Sequence, residues 1–473
     1  MKNIRQSKVV LGGLLAALGI VASGEKDASA CGGCFAPPEA NSVVTDHRMI
    51  LSVSPQQTTL YDQIRYTGSP SSFAWVLPIS GTAKVGLSAD VVFATLDGLT
   101  QSQVIQPPLN CPAPPADCLS KNAPTAAFGG SASDSADAGV SVTKSEVVGP
   151  YETVQLHSTS GAALNDWLTS HGYAIPADVA PIITAYVNAQ FDFLAMKLAP
   201  GNSVKSMRPV RISTAGAAPI LPLRMVTAGT GPVVGITLWV VAEGRYEPQN
   251  FPSFHIGDSD LVWNWATSSS NFKKLRSDKE AALGGKGWEV ESSTAQMASQ
   301  FTQYVKNGGY YGGGFRGGAP QTASDDYAPI TDVNGVVTKT ADEVRDADMA
   351  ALFAGIQTSE VRFTRVRSDL AHAALVDDLV LQASQDQSQL SNVRNVTKEA
   401  GQPNCPVYDG CLQVGTMPRD QAVAATAMNN SKHLESFNCS TATGSALPDG
   451  TTLFALSGFV GIAILRSRRR TQR

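Results

Sequence analysis

The sequence of 473 residues is poor in the motifs that carry recognisable enzyme chemistry. It has six histidines, and none shows the H-x-x-x-H or H-E-x-x-H spacing that places two zinc ligands on one helix face. The G-x-S-x-G nucleophile elbow, the P-loop and the G-x-G-x-x-G dinucleotide motif are also missing. We therefore expect no catalytic residue, cofactor or metal site, and we predict a binding or envelope-structural role. The alternative is a secreted hydrolase whose site is assembled from distant residues and encoded by no motif.

Positive charge is scarce in the body of the chain. The whole sequence has 36 Lys and Arg against 40 Asp and Glu, but nine of the basic residues lie near the two ends. Residues 31–438 then hold 27 basic and 37 acidic side chains, a net charge of −10. An acidic body favours solubility and lacks the basic surface that phosphates require, so we expect no nucleic-acid partner.

No apolar run reaches the roughly 20 residues that a membrane-spanning helix needs. The first run, residues 9–22, follows a basic start and precedes an Ala-Ser-Ala end at Ala30, the pattern of a secretory signal peptide. We predict that residues 1–30 are removed and that Cys31 begins the mature chain. A short membrane anchor is one alternative. Lipoprotein processing at Cys31 is another, but charged residues 25–27 separate this cysteine from the apolar run.

A second apolar run, residues 451–465, is followed by five arginines and preceded by Cys439. Fifteen helical residues fall short of a 30 Å hydrocarbon core, and the arginines favour the cytoplasmic side. The order of cysteine, apolar run and basic end resembles the myxobacterial C-terminal sorting signal (MYXO-CTERM). We predict that residues 439–473 hold the protein at a membrane, at the cell surface or in the envelope, on the outer-membrane or periplasmic side. A plain C-terminal anchor is the alternative.

Seven cysteines suit an oxidising compartment, where thiols in a secreted protein form disulfides. Their spacing predicts three local pairs, each closing a short loop, and leaves Cys439 for processing or lipid attachment. The predicted pairs are Cys31–Cys34, Cys111–Cys118 and Cys405–Cys411.

The motif Cys-Gly-Gly-Cys at residues 31–34 also has the spacing of a redox site. Such a site needs its first cysteine at a helix N-terminus after a strand, and the glycines and the prolines at 37 and 38 oppose a helix here. A metal site would need further ligands, and His47 is the only nearby candidate. A structural disulfide is the preferred interpretation, with metal binding and redox chemistry as alternatives.

The pattern of residues 31–400 predicts a β-rich α+β fold, with antiparallel sheets in a sandwich-like body and a few packed helices. Residues 90–101 read as a helix, as does the stretch after Ser160, which can act as N-cap, up to Gly172. A further helix is expected to begin at Pro176. Residues 123–145 and 306–320 read as flexible loops, and residues 401–438 as a disulfide loop and linker.

Two stretches remain as candidate sites. Glycine-rich residues 306–320 carry four side chains that could contact a glycan or protein ligand, although a mobile surface loop is the alternative. These side chains are Tyr310, Tyr311, Phe315 and Arg316. Acidic residues 342–348 precede an apolar helical pattern, so we interpret them as the solvated start of a helix, with calcium binding as the alternative.

Several motifs in order resemble the domain of unknown function 2330 family of exported bacterial proteins. They are Cys-Gly-Gly after the signal, then "FAWVLPI", "VGPYETVQL", "WLTSHGYAIP", "FLAMKL" and "PLRMVTA". The resemblance covers about residues 31–385. It implies an exported location and a common body plan, and it implies no activity and no catalytic residue.

Overall fold

A computed structural model describes most of the predicted body. The described residues are 34–35, 43–67, 74–114, 145–173, 179–200, 202, 206–227, 233–310, 327–331 and 336–438. The predicted signal peptide, nearly all of the loop at 123–145 and the tail at 439–473 lie outside them.

The first half of the chain is built mainly from strands. These are β1 (Cys34–Phe35), β2 (Val43–Val53), β3 (Gln57–Thr67), β4 (Ala74–Ile79), β5 (Lys84–Leu87), β6 (Gln103–Ile105), β7 (Ser145–Val148), β8 (Tyr151–Leu156), β9 (Asp192–Leu198), β10 (Val210–Ala215), β11 (Ile220–Leu221) and β12 (Val233–Glu243).

The second half continues with shorter strands around two long ones. These are β13 (Tyr246–Pro248), β14 (Ser253–Phe254), β15 (Val262–Asn264), β16 (Ser269–Ser270), β17 (Trp288–Ala295), β18 (Ile330–Thr331), β19 (Val337–Lys339), β20 (Val361–Ala371), β21 (Leu379–Ala383), β22 (Val393–Asn395), β23 (Lys398–Ala400), β24 (Asn404–Asp409) and β25 (Leu412–Pro418).

The helices are fewer and mostly short. In the described residues they are α1 (Asp90–Thr100), α2 (Gly161–Ser170), α3 (Ala180–Asn188), α4 (Phe272–Ala282), α5 (Ala298–Lys306), α6 (Ala341–Leu352) and α7 (Arg419–Asn438).

An eight-stranded sheet forms the centre of the body, in the order β14-β17-β20-β12-β2-β3-β10-β5. Its neighbours are antiparallel except for β12 with β2 and β14 with β17, which are parallel. Central strand β12 is apolar on both sides: Leu238 and Val240 point into one core cluster, and Trp239 and Val241 into another. A strand that is buried on both faces needs such a continuous apolar run.

A five-stranded antiparallel sheet, in the order β1-β4-β9-β8-β7, packs face to face on the large sheet. Residues on alternate positions of β4 and β9 point into the shared core, among them Trp75, Leu77, Leu194 and Met196. This arrangement is a β-sandwich, in which the inner faces of two sheets interdigitate.

Helices cover the outer face of each sheet. Helices α1, α5 and α6 pack on the large sheet through a cluster that includes Phe93, Phe301, Leu352 and Trp239. Helices α2 and α3 pack on the small sheet through Leu168 and other apolar residues. The result is four layers, helix, sheet, sheet and helix, so the predicted β-rich α+β class with a sandwich-like body is confirmed.

Local signals placed two of the predicted helices correctly. Helix α1 begins and ends within a residue of the predicted stretch. The Ser160 hydroxyl accepts a hydrogen bond from the Ala163 amide at the start of α2, and Gly172 after its end has a φ of +87°. Helix α3 begins at Ala180 instead of the predicted Pro176, and Pro181 is the proline in its first turn.

A second compact unit includes the described residues 109–114 and 402–438. Within it, β24 and β25 form an antiparallel hairpin, and α7 packs against the hairpin through Ala422 and Val407. Residues 401–438, predicted as a disulfide loop and linker, are therefore a folded hairpin and helix. The spacing of Cys405 and Cys411 predicted a short loop, but the residues after Pro418 form helix α7.

Two of the predicted disulfide pairs are wrong. Cys111 is bonded to Cys405, with 5.3 Å between their Cα atoms and 294 residues between them in the chain. Cys405 therefore cannot pair with Cys411, nor Cys111 with Cys118. In the hairpin Cys405 lies opposite Met417, while Cys411 lies in the turn before β25, and Cys411 is itself disulfide-bonded. A disulfide fits an extracytoplasmic location.

Other predictions about the ends of the chain concern residues outside the described part. They include Cys31, Cys118, Cys439 and the cleavage at Ala30. Cys34 lies in β1, where its backbone pairs with that of Trp75 on β4. In the described ranges, no helix combines the length and apolar character that crossing a membrane requires.

The contact between α2 and α3 depends on a glycine. A Cβ atom at Gly161 would overlap the Thr184 Oγ1 atom and lie 2.7 Å from the Thr184 Cα atom. We expect Gly161→Ala to lower the free energy of unfolding by about 1–3 kcal/mol, because overpacking forces the two helices apart. Chemical denaturation with the disulfides intact measures this difference.

Gly257→Ala is the matched control for this substitution. No heavy atom lies within 4 Å of a Cβ built at Gly257, so its effect should stay within about 0.5 kcal/mol. A Gly161→Ala protein as stable as the control would contradict the close packing of α2 on α3.

Candidate functional site

Charged side chains lie under the helices on the outer face of the large sheet. Arg48 on β2 and Arg365 on β20 both donate hydrogen bonds to Asp97 on α1, the latter at 2.5 Å. Both guanidinium groups also lie over the ring of Trp239, 5.3 Å and 5.0 Å from its centroid. Cation–π contact and ion pairing together offset the cost of burying these charges.

The same chain of ion pairs continues toward α4. Arg365 also donates to Glu291 on β17, and Arg276 on α4 donates to both Glu291 and Glu289. Each carboxylate in this chain therefore faces at least one guanidinium group. Asp97 is the most exposed member, at 32%, and the other partners are nearly enclosed. These paired charges attach α1 and α4 to the sheet.

A second polar cluster surrounds Asp348 on α6, which is fully buried. Its carboxylate accepts hydrogen bonds from Ser88 at 2.6 Å, Tyr327 at 2.7 Å and Arg211 at 2.6 Å. The sequence had suggested that the acidic start of this helix is solvated, and for Asp348 that prediction is wrong. Its partners come from three distant segments, so no local pattern could have shown its burial.

A lone carboxyl group, that of Asp62 on β3, lies between the two sheets. In the sheet register it stands between Met49 on β2 and Val210 on β10, both of which belong to the apolar core. Asp62 is 2% exposed, and its Oδ1 atom has no hydrogen-bond partner among the described residues. Burial raises the pKa of this carboxyl from 3.8 to about 7, because the interior disfavours the charged form.

A second carboxyl group with a shifted pKa belongs to Glu280 on α4. It is 6% exposed and accepts a hydrogen bond from the Asp369 amide at 3.3 Å. Burial and the neighbouring Asp369 carboxylate raise the pKa of Glu280 to about 7. A carboxyl with this pKa could act as a general acid or base only if a substrate could reach it.

An open groove lies between α5 and α6, with a volume of about 640 Å³. Its walls are apolar side chains with a few hydroxyls, and they contain no titratable group. The lining residues are Met297, Ala298, Ser299, Thr302, Met349, Ala350, Phe353, Thr358 and Ser359. Hereafter this feature is called the α5–α6 groove.

The floor of the α5–α6 groove packs against the core, whereas its rim is accessible. Phe353 makes edge and tilted contacts with Phe301 and Phe363, at ring-centroid distances of 5.9 Å and 6.4 Å. Met297 at the start of α5 is 59% exposed. An exposed methionine beside fixed aromatic rings suits the binding of apolar groups, because the thioether side chain adapts to different shapes.

The groove and the two carboxyl groups with raised pKa values lie in different parts of the body. Asp62 is enclosed between the sheets and Glu280 lies on the buried face of α4, and neither lines the α5–α6 groove. In the ranges that the structure describes, no group of three or more Asp, Glu, His or Cys side chains could hold a metal ion. The groove therefore offers apolar contact area, and the two buried carboxyls with raised pKa values lie elsewhere.

Of the four residues predicted to contact a ligand, only Tyr310 belongs to the described part of the chain. Tyr310 is half-buried, with its ring 5.0 Å from that of Tyr304 on α5. Its backbone also approaches α1 closely, since a Cβ at Gly98 would lie 2.9 Å from the Tyr310 carbonyl oxygen. Tyr311, Phe315 and Arg316 lie outside the described residues, so the predicted site remains a prediction.

Sequence reasoning missed the α5–α6 groove entirely. A usable signal was present in α5, where Ala298, Phe301 and Val305 form a buried stripe at helical spacing. That pattern predicts an amphipathic helix but not its neighbour. Helices α5 and α6 are separated by 34 residues in the chain, so no local sequence pattern predicts that they line one groove.

The sequence of this body matches the profile of a known family. A sequence profile described as "Uncharacterized protein conserved in bacteria (DUF2330)" matches residues 26–309, more than half of the chain. The chain belongs to the DUF2330 family. The DUF2330 match includes α1 to α5 and ends before α6, so one wall of the groove lies beyond the matched residues.

Other comparisons add little to the DUF2330 assignment. A search of curated proteins returned no match. The solved structure of baculovirus P35 aligns with 14% sequence identity over 45% of this chain and 68% of its own, with a TM-score of 0.25. A similarity at this level carries no argument about fold or function.

The buried carboxyl of Asp62 makes a pH-dependent contribution to stability. Between its unfolded pKa of 3.8 and its folded pKa of about 7, the folded protein holds a proton that the unfolded chain releases. The free energy of unfolding should therefore fall as the pH rises through this window, by about 4 kcal/mol in total, and stay low above pH 7. We expect Asp62→Asn to remove this decrease and to be more stable than the parent at pH 8.

Urea denaturation at pH 4, 6 and 8 measures the effect as the difference between the variant and the parent. Asp166→Asn, at an exposed position on α2, is the control and should leave the pH dependence unchanged. An Asp62→Asn protein that retains the full decrease between pH 4 and pH 7 would show that another group is responsible.

Proposed function

We propose that the protein is an exported binding protein of the cell envelope whose α5–α6 groove receives apolar side chains of a protein ligand. The observation that carries this proposal is the lining of the groove, which offers methionine, phenylalanine, alanine and hydroxyl groups and no titratable side chain. Such a lining supplies apolar contact area and a few hydrogen bonds, which are the requirements of a binding site.

The alternative, a secreted hydrolase, has less support. General acid–base catalysis needs a group of suitable pKa within hydrogen-bond reach of the substrate. Asp62 and Glu280 have pKa values near 7, but they are 2% and 6% exposed and lie away from the groove. The carboxyls with a suitable pKa are therefore inaccessible to a substrate, and the accessible groove has no titratable side chain.

A protein ligand fits the groove better than a glycan does. Sugar rings present hydroxyl groups that need several polar partners, and they stack on exposed aromatic faces. The groove has one aromatic lining residue, Phe353, which already packs against Phe301 and Phe363. Methionine side chains at 297 and 349 are better suited to apolar side chains of varied shape.

The proposed location rests on both ends of the chain and on the disulfide. The Cys111–Cys405 bond favours an oxidising compartment. The apolar run at 451–465 and the arginines after it would hold the protein at a membrane, with Cys439 exposed to processing on the outer side. A tether at the envelope would present the groove to partners outside the cytoplasm.

Filling the groove should abolish ligand binding. Ala350 lines the groove and is exposed, so Ala350→Trp blocks the space with little cost to folding. We expect this variant to bind an uncharged amphipathic peptide of leucine and glutamine about tenfold more weakly than the parent. Fluorescence anisotropy of the labelled peptide gives the two dissociation constants.

Ala347→Trp is the matched control, because Ala347 is exposed on the same helix and does not line the groove. Its affinity for the peptide should equal that of the parent. Equal binding by the parent, Ala350→Trp and Ala347→Trp proteins would exclude the groove as the binding site.

Removal of the tail tests the proposed tether. Deletion of residues 440–473 should release folded, soluble protein into the periplasm or medium, because the fifteen apolar residues and the arginines no longer retain it. Cys439→Ala should alter retention or tail removal if the tail is a sorting signal, and should have no effect if it is a plain anchor. Cell fractionation followed by immunoblotting reads out both variants, and membrane-bound protein after the deletion would contradict the tether.

A further inference from the structure

The charges around the α5–α6 groove are predominantly negative. On α6 the groove residues Met349, Ala350 and Phe353 continue a stripe that begins with Asp342 and Asp346, since residues three or four apart share one helix face. The side chains of Asp342 and Asp346 are 68% and 70% exposed. One wall of the groove therefore changes from acidic to apolar along its length.

The other end of the groove is acidic as well. The loop residues Thr358 and Ser359 line the groove, and exposed Glu360 follows them directly. Exposed Glu243 supports this loop by accepting a hydrogen bond from the Gln357 amide at 2.7 Å. Carboxylates thus flank the apolar lining on two sides.

Three basic residues in the region do not cancel this charge. Arg345 donates to Asp342 at 2.5 Å and lies 3.7 Å from Asp346, but its own side chain is 3% exposed. Lys306 lies on α5, one turn beyond Thr302, and Lys339 precedes α6, where its charge helps to lower the pKa of Glu343. Against these stand the two aspartates, Glu343 and the two glutamates of the loop end, so an acidic excess remains.

The walls of the groove also restrict the form of the ligand. They consist of two helices and a short loop, and no strand of any sheet contributes to the lining. An extended peptide would find no strand edge to pair with, whereas a helix satisfies its own backbone hydrogen bonds and can place side chains into a groove between two others.

We infer that the α5–α6 groove binds a cationic amphipathic helix of another protein, with apolar side chains in the groove and Lys or Arg beside the flanking carboxylates. The inference rests on the proposed function and adds the charge and secondary structure of the ligand to it. An acidic rim also disfavours an anionic lipid surface, which attracts basic patches instead.

Three labelled peptides of about 14 residues, or four helical turns, test the inference on the full exported chain. Each carries leucine at helical i, i+3, i+4 spacing, and the remaining positions are lysine, glutamine or glutamate. We expect the lysine peptide to bind about tenfold tighter than the glutamate peptide at about 50 mM salt. The difference should shrink at about 300 mM salt, because the flanking carboxylates are exposed and are screened.

Two variants assign the effect to the groove. The double substitution Asp346→Asn with Glu360→Gln should weaken binding of the lysine peptide several-fold and leave the glutamine peptide unchanged. Asp166→Asn with Asp278→Asn, at exposed positions on α2 and α4, is the matched control for the loss of two negative charges. Ala350→Trp should weaken binding of all three peptides.

The possible outcomes separate the inference from the proposed function. If all three peptides bind equally and Ala350→Trp weakens each, the groove is a binding site but its charge selectivity is refuted. If the lysine peptide binds tightly and Ala350→Trp has no effect, the attraction is that of an acidic protein in general and the inference fails. If no peptide binds, or if the protein binds anionic vesicles in preference to the lysine peptide, the inference is overturned.

Discussion

Burial of both faces of the eight-stranded sheet is the constraint on which the rest of the structure depends. Strand β12 meets it with apolar side chains on both sides, and the second sheet and the helices α1, α5 and α6 supply the covering layers. Charged residues on such a sheet must be paired, because an isolated buried charge costs several kcal/mol. The contacts of Arg48 and Arg365 with Asp97 and Trp239 satisfy that condition and join a helix to three strands in one step.

The same constraint explains where the covering is incomplete. Between α5 and α6 a groove remains, lined by five apolar side chains and four side chains with hydroxyl groups. Exposed methionine beside fixed phenylalanine rings is a costly surface to leave in water unless another molecule covers it. The buried carboxyls, in contrast, are found where the sheets and helices close on each other, which is why acid–base groups and open space do not coincide.

Much of the fold was predictable because it is encoded locally. The Ser160 cap, the apolar stripe of α1 and the alternation in the long strands report on their own segments and were interpreted correctly. Features that depend on distant partners were not predictable. The burial of Asp348 requires Ser88, Arg211 and Tyr327, and the bond from Cys111 to Cys405 joins residues 294 positions apart in the chain. The α5–α6 groove belongs to this second group, since its walls come from separate segments.

The bond between Cys111 and Cys405 would set the order of events if the protein is exported as an unfolded chain, as proposed. In that case Cys111 would cross the membrane 294 residues before its partner, and every described strand from β7 to β23 lies between them. The early thiol must therefore wait, reduced or in a temporary bond, until nearly the entire body has been delivered. A protein that acquires its correct bond so late should depend on the disulfide-exchange enzymes of its compartment, and oxidised Cys405 would mark the chains whose delivery is complete.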